Sequence, residues 1–324
     1  MKSKIGGWLS VLMLTGSGAQ AMHAGDGLPV TSNAYVALSV QGSVGLLNGS
    51  ALETVYTGVE GSRYKVSELD WDIKNVVMVG ANLSVTLHNQ IWLNAGLWGA
   101  ATHGSGQMND WDWLLGEQGS PWTDWSLSEV DVTRASLLDL NVAVEVLRVG
   151  DWGLRGIAGY KYNAWQWEDH GVRHIYSSNP AVPGGFRNDV AEENGHTGII
   201  YEQWFHIPYL GAGLNYTNGG WVVDGYALVG PYVIASDRDQ HLNRRLLFEE
   251  DFSGGQYFGA GVRAAYVFQS GLFLGAALDG QAIPEIIGDT TIVDQRTGAR
   301  STSGNTAGIA NQAWMLALSG GYKF

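Results

Sequence analysis

Residues 76–88 read VVMVGANLSVTLH, and apolar side chains alternate in this stretch with small or polar ones. The odd-numbered positions from Val77 to Leu87 are all apolar, whereas the even-numbered positions from Gly80 to His88 are small or polar. Successive side chains of a β-strand point to opposite faces, so this period of two predicts a strand. One face of that strand must lie against an oily environment.

The same alternation recurs at residues 138–146, 271–279 and 313–324. A soluble β-sandwich and a barrel in lipid would both explain it, but three features favour lipid. The strands are long, and about ten residues are needed to cross a bilayer at a tilt. Their opposite face is rich in Gly, Ala and Ser, which suits a narrow barrel interior. The chain also ends on an aromatic strand with Tyr322 and Phe324, an ending that resembles the assembly signal of outer-membrane proteins in Gram-negative bacteria.

We therefore predict an all-β fold, a closed antiparallel transmembrane β-barrel of about ten strands with long extracellular loops. The expected strands are residues 33–52, 64–88, 90–103, 129–148, 154–168, 194–214, 221–238, 256–268, 271–285 and 309–324. The expected long loops are residues 53–63, 104–128, 169–193, 239–255 and 286–308. Short turns near residues 88–90, 150–153, 218–220 and 269–271 are expected to face the periplasm.

The composition excludes several classes of protein. Among the 324 residues, 45% are hydrophobic and 14 are Trp, which is too apolar and too aromatic for a disordered chain. There is no Cys, so disulfide scaffolds and Cys-ligated zinc sites are excluded. The net charge of −13 argues against a nucleic-acid partner and favours cationic partners.

The first 21 residues have the features of a secretory signal peptide. Lys2 and Lys4 precede a short apolar run from Trp8 to Leu14, and Ala19-Gln20-Ala21 is a small-x-small cleavage site. The alternative is a membrane anchor, but the run is too short to span a bilayer. Residues 22–324 are then expected to form a single barrel domain.

Two acidic motifs could support catalysis. In Asp110-Trp111-Asp112, an extended backbone places both carboxylates on one side. Asp237-Arg238-Asp239-Gln240-His241 places two carboxylates and an imidazole on one face, and an Asp beside a His makes a plausible general base. On opposite walls of a barrel mouth, such groups would activate a water for peptide hydrolysis without a metal or a covalent intermediate. The spacing alone leaves a solvated or calcium-binding loop open.

The chain resembles the omptin family of Gram-negative outer-membrane aspartyl-type endopeptidases. The resemblance covers essentially the whole chain after the signal peptide, with its motifs in the family's order. The matching stretches are residues 66–72, 108–113, 122–124, 175–178, 185–189, 207–209, 235–241 and 322–324. The two acidic motifs lie about 130 residues apart, in the order expected for the family.

This resemblance implies roles for individual residues. Asp110 and Asp112 align with the catalytic Asp pair of the family, and Asp239 and His241 align with its Asp–His dyad. The implied reaction is cleavage between two basic residues, in an active site that faces the exterior. The substrates would be cationic peptides or proteins with paired Arg or Lys.

The resemblance also implies a specificity pocket. Its acidic residues map onto Glu53 and Asp237, and an acidic contact beyond the scissile bond maps onto Asp124. Met108 is expected to line the apolar part of the pocket, although plain packing is an alternative. Anionic pockets select Arg or Lys by charge, and an acidic mouth attracts cationic peptides.

Lipopolysaccharide is expected as a lipid activator, because the family requires it; no other cofactor and no metal are expected. Tyr160 matches a lipid-binding position of the family. Three other positions depart from the family's polar or basic residues, namely Tyr162, Ala164 and Trp204. Lys161 and His206 could replace the missing cations only if their side chains point outward.

Other readings remain open for the chain and for two of its segments. A non-enzymatic barrel acting as an adhesin or surface interaction protein is the main alternative, and a small pore is another. His170 and His174 would share a face on a helix, but we expect a loop there and no zinc site. Arg244-Arg245 resembles a dibasic cleavage site, so either self-cleavage or an ordinary solvated loop is possible.

Overall fold

The computed structural model describes residues 36–57, 63–116 and 119–324. The expected signal peptide, residues 1–21, lies outside the described residues. The described part of the chain contains no helix that is long and apolar enough to cross a membrane.

All regular elements of the described chain are β-strands. They are β1 (Val36–Thr57), β2 (Tyr64–Leu87), β3 (Ile91–Ala100), β4 (Gly104–Asp112), β5 (Asp124–Val149), β6 (Trp152–Tyr176), β7 (Asp189–Glu192), β8 (Ile199–Asn218), β9 (Trp221–His241), β10 (Leu246–Val267), β11 (Leu272–Asp294) and β12 (Arg300–Lys323).

The strands form one closed antiparallel ring with ten positions. Each long strand pairs with its neighbours in sequence, and β1 closes the ring by pairing with β12 from Ser39↔Lys323 to Val55↔Ala307. β3 and β4 share one position, since both lie between β2 and β5. β7 is a short addition that pairs only with the outer end of β6. The predicted barrel of about ten strands is confirmed.

The two faces of the wall are as the alternation predicts. On β2, Val79 and Leu83 face outward with 48% and 44% of their surface exposed, whereas Met78, Asn82 and Ser84 are buried in the lumen. In lipid, an outward apolar face is stable and every backbone group must be paired, which the closed ring achieves.

Aromatic side chains gather outside the barrel at the end that carries the short turns. Trp152 packs on Tyr216, Trp221 on Tyr266, and Tyr322 on the terminal Phe324. Aromatic rings of this kind form the interfacial girdles of outer-membrane barrels. The short turns mark this end as the periplasmic side, and all four lie where they were predicted.

The lumen is filled with side chains. Trp98, Phe205 and Tyr257 are among the large residues that are completely or almost completely buried. Lys161 is fully buried and forms an ion pair with Asp139. A lumen packed in this way argues against the pore that the sequence left open.

The predicted loops are too long, and this is a correction. Most strands continue well beyond their expected outer ends: β6 runs to Tyr176 instead of 168, β9 reaches His241, and β10 begins at Leu246 instead of 256. Above the membrane the outward face meets water and no longer needs apolar residues, so the alternation that marks a strand disappears. The barrel therefore rises beyond the bilayer, and its connection from β9 to β10 is only residues 242–245.

The buried ion pair in the lumen gives a test of this packing. Lys161→Met leaves Asp139 buried without its cation, and we expect a loss of about 3–5 kcal/mol in the free energy of unfolding. Lys74→Met breaks an ion pair in which Lys74 is about half exposed, and it should cost less than ~1 kcal/mol. Urea unfolding in detergent micelles measures both values. Equal losses of unfolding free energy in the two variants would contradict the burial of the ion pair between Lys161 and Asp139.

Candidate active site

The first acidic motif lies on the inward face of β4. Asp110 and Asp112 follow the inward-facing Met108 in steps of two, so both carboxylates point into the mouth of the barrel. In the register of the sheet, Asp110 lies opposite Leu69, and Leu69 lies opposite Glu53 of β1. The hydroxyl of Ser67 donates a hydrogen bond to Asp110 Oδ1 at 3.3 Å. The predicted Asp pair thus lies in strand rather than in a loop.

The second motif forms the outer end of β9. Asp237, Asp239 and His241 alternate with outward-facing residues and share the inward face. The imidazole Nε2 of His241 lies 2.5 Å from Asp239 Oδ2, and the ring of Phe248 packs against it edge-on at 5.2 Å. This contact assigns the Nε2 proton to the hydrogen bond with Asp239, which leaves the lone pair on Nδ1.

The two motifs face each other across the mouth and influence each other's charge. Burial and the neighbouring Asp112 raise the pKa of Asp110 well above its usual value, and the charge of Asp239 raises it further. Burial also raises the pKa of Asp112, to about 6. Both shifts favour the neutral forms of these neighbouring carboxyls, so the pair retains a proton to higher pH than isolated Asp residues do.

Arg244 adds a positive charge between the two walls. Its Nη1 lies 3.4 Å from His241 Nδ1, and its charge lowers the pKa values of Asp110 and Asp112. The residue belongs to the turn at residues 242–245, in which the amide of Arg245 donates to the carbonyl of Leu242. A bond between Arg244 and Arg245 in such a tight turn is not the extended peptide that a protease cleft binds.

Glu53 and Asp237 form a second acidic group beside the dyad. Glu53 is 3% and Asp237 4% exposed, and each has one buried carboxylate oxygen without a hydrogen-bond donor. Burial, followed by repulsion among neighbouring acids, raises the pKa values of both. The hydroxyl of Tyr201 donates to Asp237 Oδ2 at 2.9 Å and so holds that carboxyl in place.

A chain of amide side chains supports Tyr201 from below. Gln203 donates to the Tyr201 hydroxyl at 2.9 Å and accepts from Asn311, which in turn accepts from Gln281. Asn163 donates to Gln281 and completes the chain. Because Gln203 donates to the Tyr201 hydroxyl, the proton of that hydroxyl is directed towards the acidic group.

Aromatic rings close the floor of the mouth. Trp71 stacks on Tyr201 with 5.2 Å between ring centroids, and Tyr201 lies 5.7 Å from Trp167. Met108, 1% exposed, lies directly opposite Trp71 in the sheet. This position beneath the Asp pair fits the predicted role of Met108 in lining the apolar part of the pocket. It fits the alternative, plain packing, equally well.

Asp124 begins β5 directly opposite Asp112. It is 6% exposed; its Oδ1 accepts the amide of Ser177 at 2.8 Å, and its Oδ2 is buried without a donor. Arg187 stabilises this corner by lying over the ring of Trp122 and donating to the Trp122 carbonyl. Asp124 thus lies on the same wall as the Asp pair.

Several residues at the mouth were missed from the sequence. Ser67, Tyr201 and Arg244 contact predicted site residues, and Glu250 lies opposite Asp237 in the register of β9 and β10. The pattern of inward positions on β2 and β8 could have indicated Ser67 and Tyr201. Glu250 follows Glu249 and precedes Asp251, and this run of three acids was interpreted as part of a solvated loop.

The expected loop around His170 and His174 is also wrong, since both residues lie on β6. Four residues of strand span about 13 Å, which is too far for two ligands of one zinc ion. His170 lies 3.3 Å from Asp131 Oδ2, and His174 forms an ion pair with Glu193. In the described part of the chain, no group of three or more His, Asp or Glu residues could hold a metal ion.

The outer wall at the expected lipid site is aromatic. Tyr160 and His206 face outward, with 2.6 Å between the Tyr160 hydroxyl and His206 Nδ1, and the ring of Tyr162 lies 5.2 Å from that of His206. Lys161 points into the lumen and cannot act as a substitute cation. Arg134 forms an ion pair with Glu202 and lies 6.0 Å over the ring of Trp204.

The comparisons of this chain with protein families, curated proteins and solved structures agree with one another. The model of the omptin family matches residues 34–324. The plasminogen activator of Yersinia pestis is 31% identical, over 88% of this chain and 89% of that protein. The outer membrane protease OmpP of Escherichia coli K12 is 29% identical, over 89% and 90% respectively. The crystal structure of the outer membrane protease OmpT from Escherichia coli superimposes with a TM-score of 0.82 at 26% identity, covering 89% of this chain and 97% of that one.

Proposed function

The chain belongs to the omptin family and is an outer-membrane protease, and on this premise we propose that it hydrolyses peptide bonds between two basic residues by means of an activated water. The observation that carries the proposal is the pairing of an Asp–His dyad with an Asp pair across one acidic mouth. This mouth lies at the end opposite the short turns, so we place it on the extracellular side.

In the proposed mechanism, His241 is the general base. Asp239 accepts the hydrogen bond from Nε2, fixes the tautomer and stabilises the imidazolium that forms. Nδ1 then takes a proton from a water held between the two walls, and the resulting hydroxide attacks the scissile carbonyl. Arg244 must shift from its position 3.4 Å from Nδ1 to admit this water.

The Asp pair performs the complementary role. A protonated Asp110 donates a hydrogen bond to the carbonyl oxygen as negative charge develops on it, while the ionised Asp112 orients the water. His241 then returns its proton to the leaving amine. Burial raises the pKa values of both neighbouring carboxyls, which favours a shared protonation state with one acid and one base.

The proposed specificity is electrostatic. Glu53 and Asp237 receive the basic residue on the acyl side of the scissile bond, since both have buried oxygens that lack a donor. Asp124 also has a buried oxygen without a donor, and it receives the basic residue on the amine side of the scissile bond. A guanidinium or ammonium group would satisfy these oxygens, whereas a neutral side chain would leave them unpaired.

Turnover of an internally quenched Arg-Arg peptide tests this function. We expect cleavage between the two arginines by the protein refolded in detergent with lipopolysaccharide. His241→Ala should lower kcat by about 10²–10⁴-fold, the usual contribution of a general base. His196→Ala, which changes an exposed loop histidine, is the control and should keep full activity. Mass spectrometry locates the cleaved bond, and full activity of the His241 variant would refute the mechanism.

The charge of Arg244 predicts a change in the pH profile. Removing a nearby positive charge favours the neutral form of a carboxyl, so Arg244→Ala should raise the pKa of Asp112 above its value of about 6. The acid limb of kcat/KM then moves to higher pH, because Asp112 must be ionised. Arg245→Ala, in the same turn, is the control. An unmoved limb in the Arg244 variant would show that Asp112 does not govern it.

We further propose that lipopolysaccharide activates the enzyme through the aromatic wall around Tyr160 and His206. We expect higher turnover of the refolded protein with lipopolysaccharide than without it. His206→Ala should require more lipopolysaccharide for half-maximal activation, whereas His88→Ala, in a periplasmic turn, should not. Titration of activity against lipopolysaccharide measures both, and equal turnover with and without the lipid would contradict this proposal.

A further inference from the structure

Glu250 is a buried carboxyl that the mechanism above does not use. It lies on the inward face of β10, directly opposite Asp237 of β9, and is 3% exposed. The hydroxyl of Thr290 on β11 donates to its Oε1 at 2.7 Å. Burial, together with repulsion by the charge of Glu250, raises the pKa of the Asp237 carboxyl.

The groups that face Glu250 are mostly acidic. Asp237 and Asp239 approach it from β9, Glu53 from β1 across the lumen, and Tyr201 from β8 lies on the far side of Asp237. Among the ion pairs found within the described ranges, none involves Glu53, Asp237 or Glu250. A buried group of acids with no internal cation is prepared for a cation from outside.

A second observation points to a ligand in the same place. Oε2 of Glu53 and Oδ1 of Asp237 are buried and have no hydrogen-bond donor. Burying an acceptor without a partner costs about 1–3 kcal/mol, and more for a charged group. One of these oxygens belongs to Asp237, which lies opposite Glu250 in the sheet, so a donor that reaches it comes close to Glu250.

We propose that Glu250 is a third carboxyl of the pocket for the basic residue, and that the pocket exchanges a proton held by its buried carboxyls for the cationic side chain. The inference rests on the proposed specificity for basic residues. It adds Glu250 to the pocket and the release of a proton when the basic residue binds. In the exchange, the Arg or Lys side chain enters with its positive charge and one proton leaves to solvent. The charge of the pocket with its contents is therefore unchanged by binding.

The acidities of the three groups are consistent with this exchange. Burial raises the pKa of Glu250 to about 7, and burial together with mutual repulsion raises those of Glu53 and Asp237. Each of these shifts favours the protonated form, so the empty pocket binds protons more readily than exposed carboxyls do. An entering cation lowers these pKa values by direct attraction, so a proton is released on binding.

The test compares Glu250→Gln with Asp251→Asn on two peptides. Gln keeps the shape of Glu250 and removes its charge, and Asp251 is the adjacent acid on the exposed face of β10. One peptide carries Arg on the acyl side of the scissile bond, and the other carries citrulline, its neutral isostere. For Glu250→Gln we expect kcat/KM on the Arg peptide to fall by roughly tenfold or more, the size of one hydrogen bond to a charged group. The value on the citrulline peptide should change by less than about twofold, and Asp251→Asn should change neither.

The exchanged proton is measured separately. In the inactive His241→Ala background, titration calorimetry of the Arg peptide at pH 7 in two buffers of different ionisation enthalpy gives the protons released on binding. We expect release in this background and less release when Glu250→Gln is added. Unchanged unfolding midpoints in urea would show that the variants are folded.

The outcomes separate this inference from the proposed function. If the unmodified enzyme does not prefer Arg to citrulline, the specificity for basic residues is wrong and the inference falls with it. If Asp237→Asn abolishes that preference but Glu250→Gln leaves it intact, only the role of Glu250 is refuted. Equal losses on both peptides would show that Glu250 merely supports the structure.

Discussion

The structure depends on the requirement that every backbone amide and carbonyl in lipid has a partner within the protein. A ring of ten strand positions, closed between β1 and β12, meets this requirement without an exposed edge. Once the ring is closed, the pleat assigns each residue either to the lumen or to the outside. The inward position of every catalytic candidate follows from this assignment, because Asp110, Asp239 and His241 lie in strands that continue the membrane-spanning wall.

The same closed wall explains how so many acids can remain together. Strands that rise above the bilayer form a rigid rim, and the stacked rings of Trp71, Tyr201 and Trp167 separate that rim from the lumen below. The carboxyls are therefore desolvated without being near the membrane. Their repulsion is relieved by raised pKa values, by hydrogen bonds from Ser67 and Tyr201 and, at the Asp pair, by the charge of Arg244.

The sequence predicted the part of the fold that lipid constrains. Where the outer face meets hydrocarbon, as at Val79 and Leu83, the alternation is strict, and the strands and periplasmic turns were predicted correctly. Beyond the bilayer that constraint ends, so the outer parts of β6 and β10 were interpreted as loops.

The candidate site was predictable only as far as its residues lie within one strand. Spacing places Asp239 beside His241, and the structure brings them to 2.5 Å. The contacts of Glu250 with Asp237 and of Ser67 with Asp110 depend on the register between strands, which no local pattern reveals. The residues suggested the pairing of the two motifs across a barrel mouth but left a solvated or calcium-binding loop open, and the resemblance to omptins favoured the catalytic interpretation.

Under the proposed mechanism, the acidic mouth links recognition of the substrate to its chemistry. A peptide with two basic residues brings two positive charges among carboxyls whose pKa values are raised by burial and by mutual repulsion. These positive charges attract the ionised carboxylates directly, so they lower the pKa values of Glu53, Asp237 and Glu250 in the pocket and that of Asp110 on the facing wall. A neutral peptide brings no positive charge, so the pKa values of the carboxyls stay raised. The buried oxygens of the pocket also remain without a hydrogen-bond donor. Selectivity should therefore be expressed in kcat as well as in KM, because the substrate's own charge helps to set the protonation states that the hydrolysis requires.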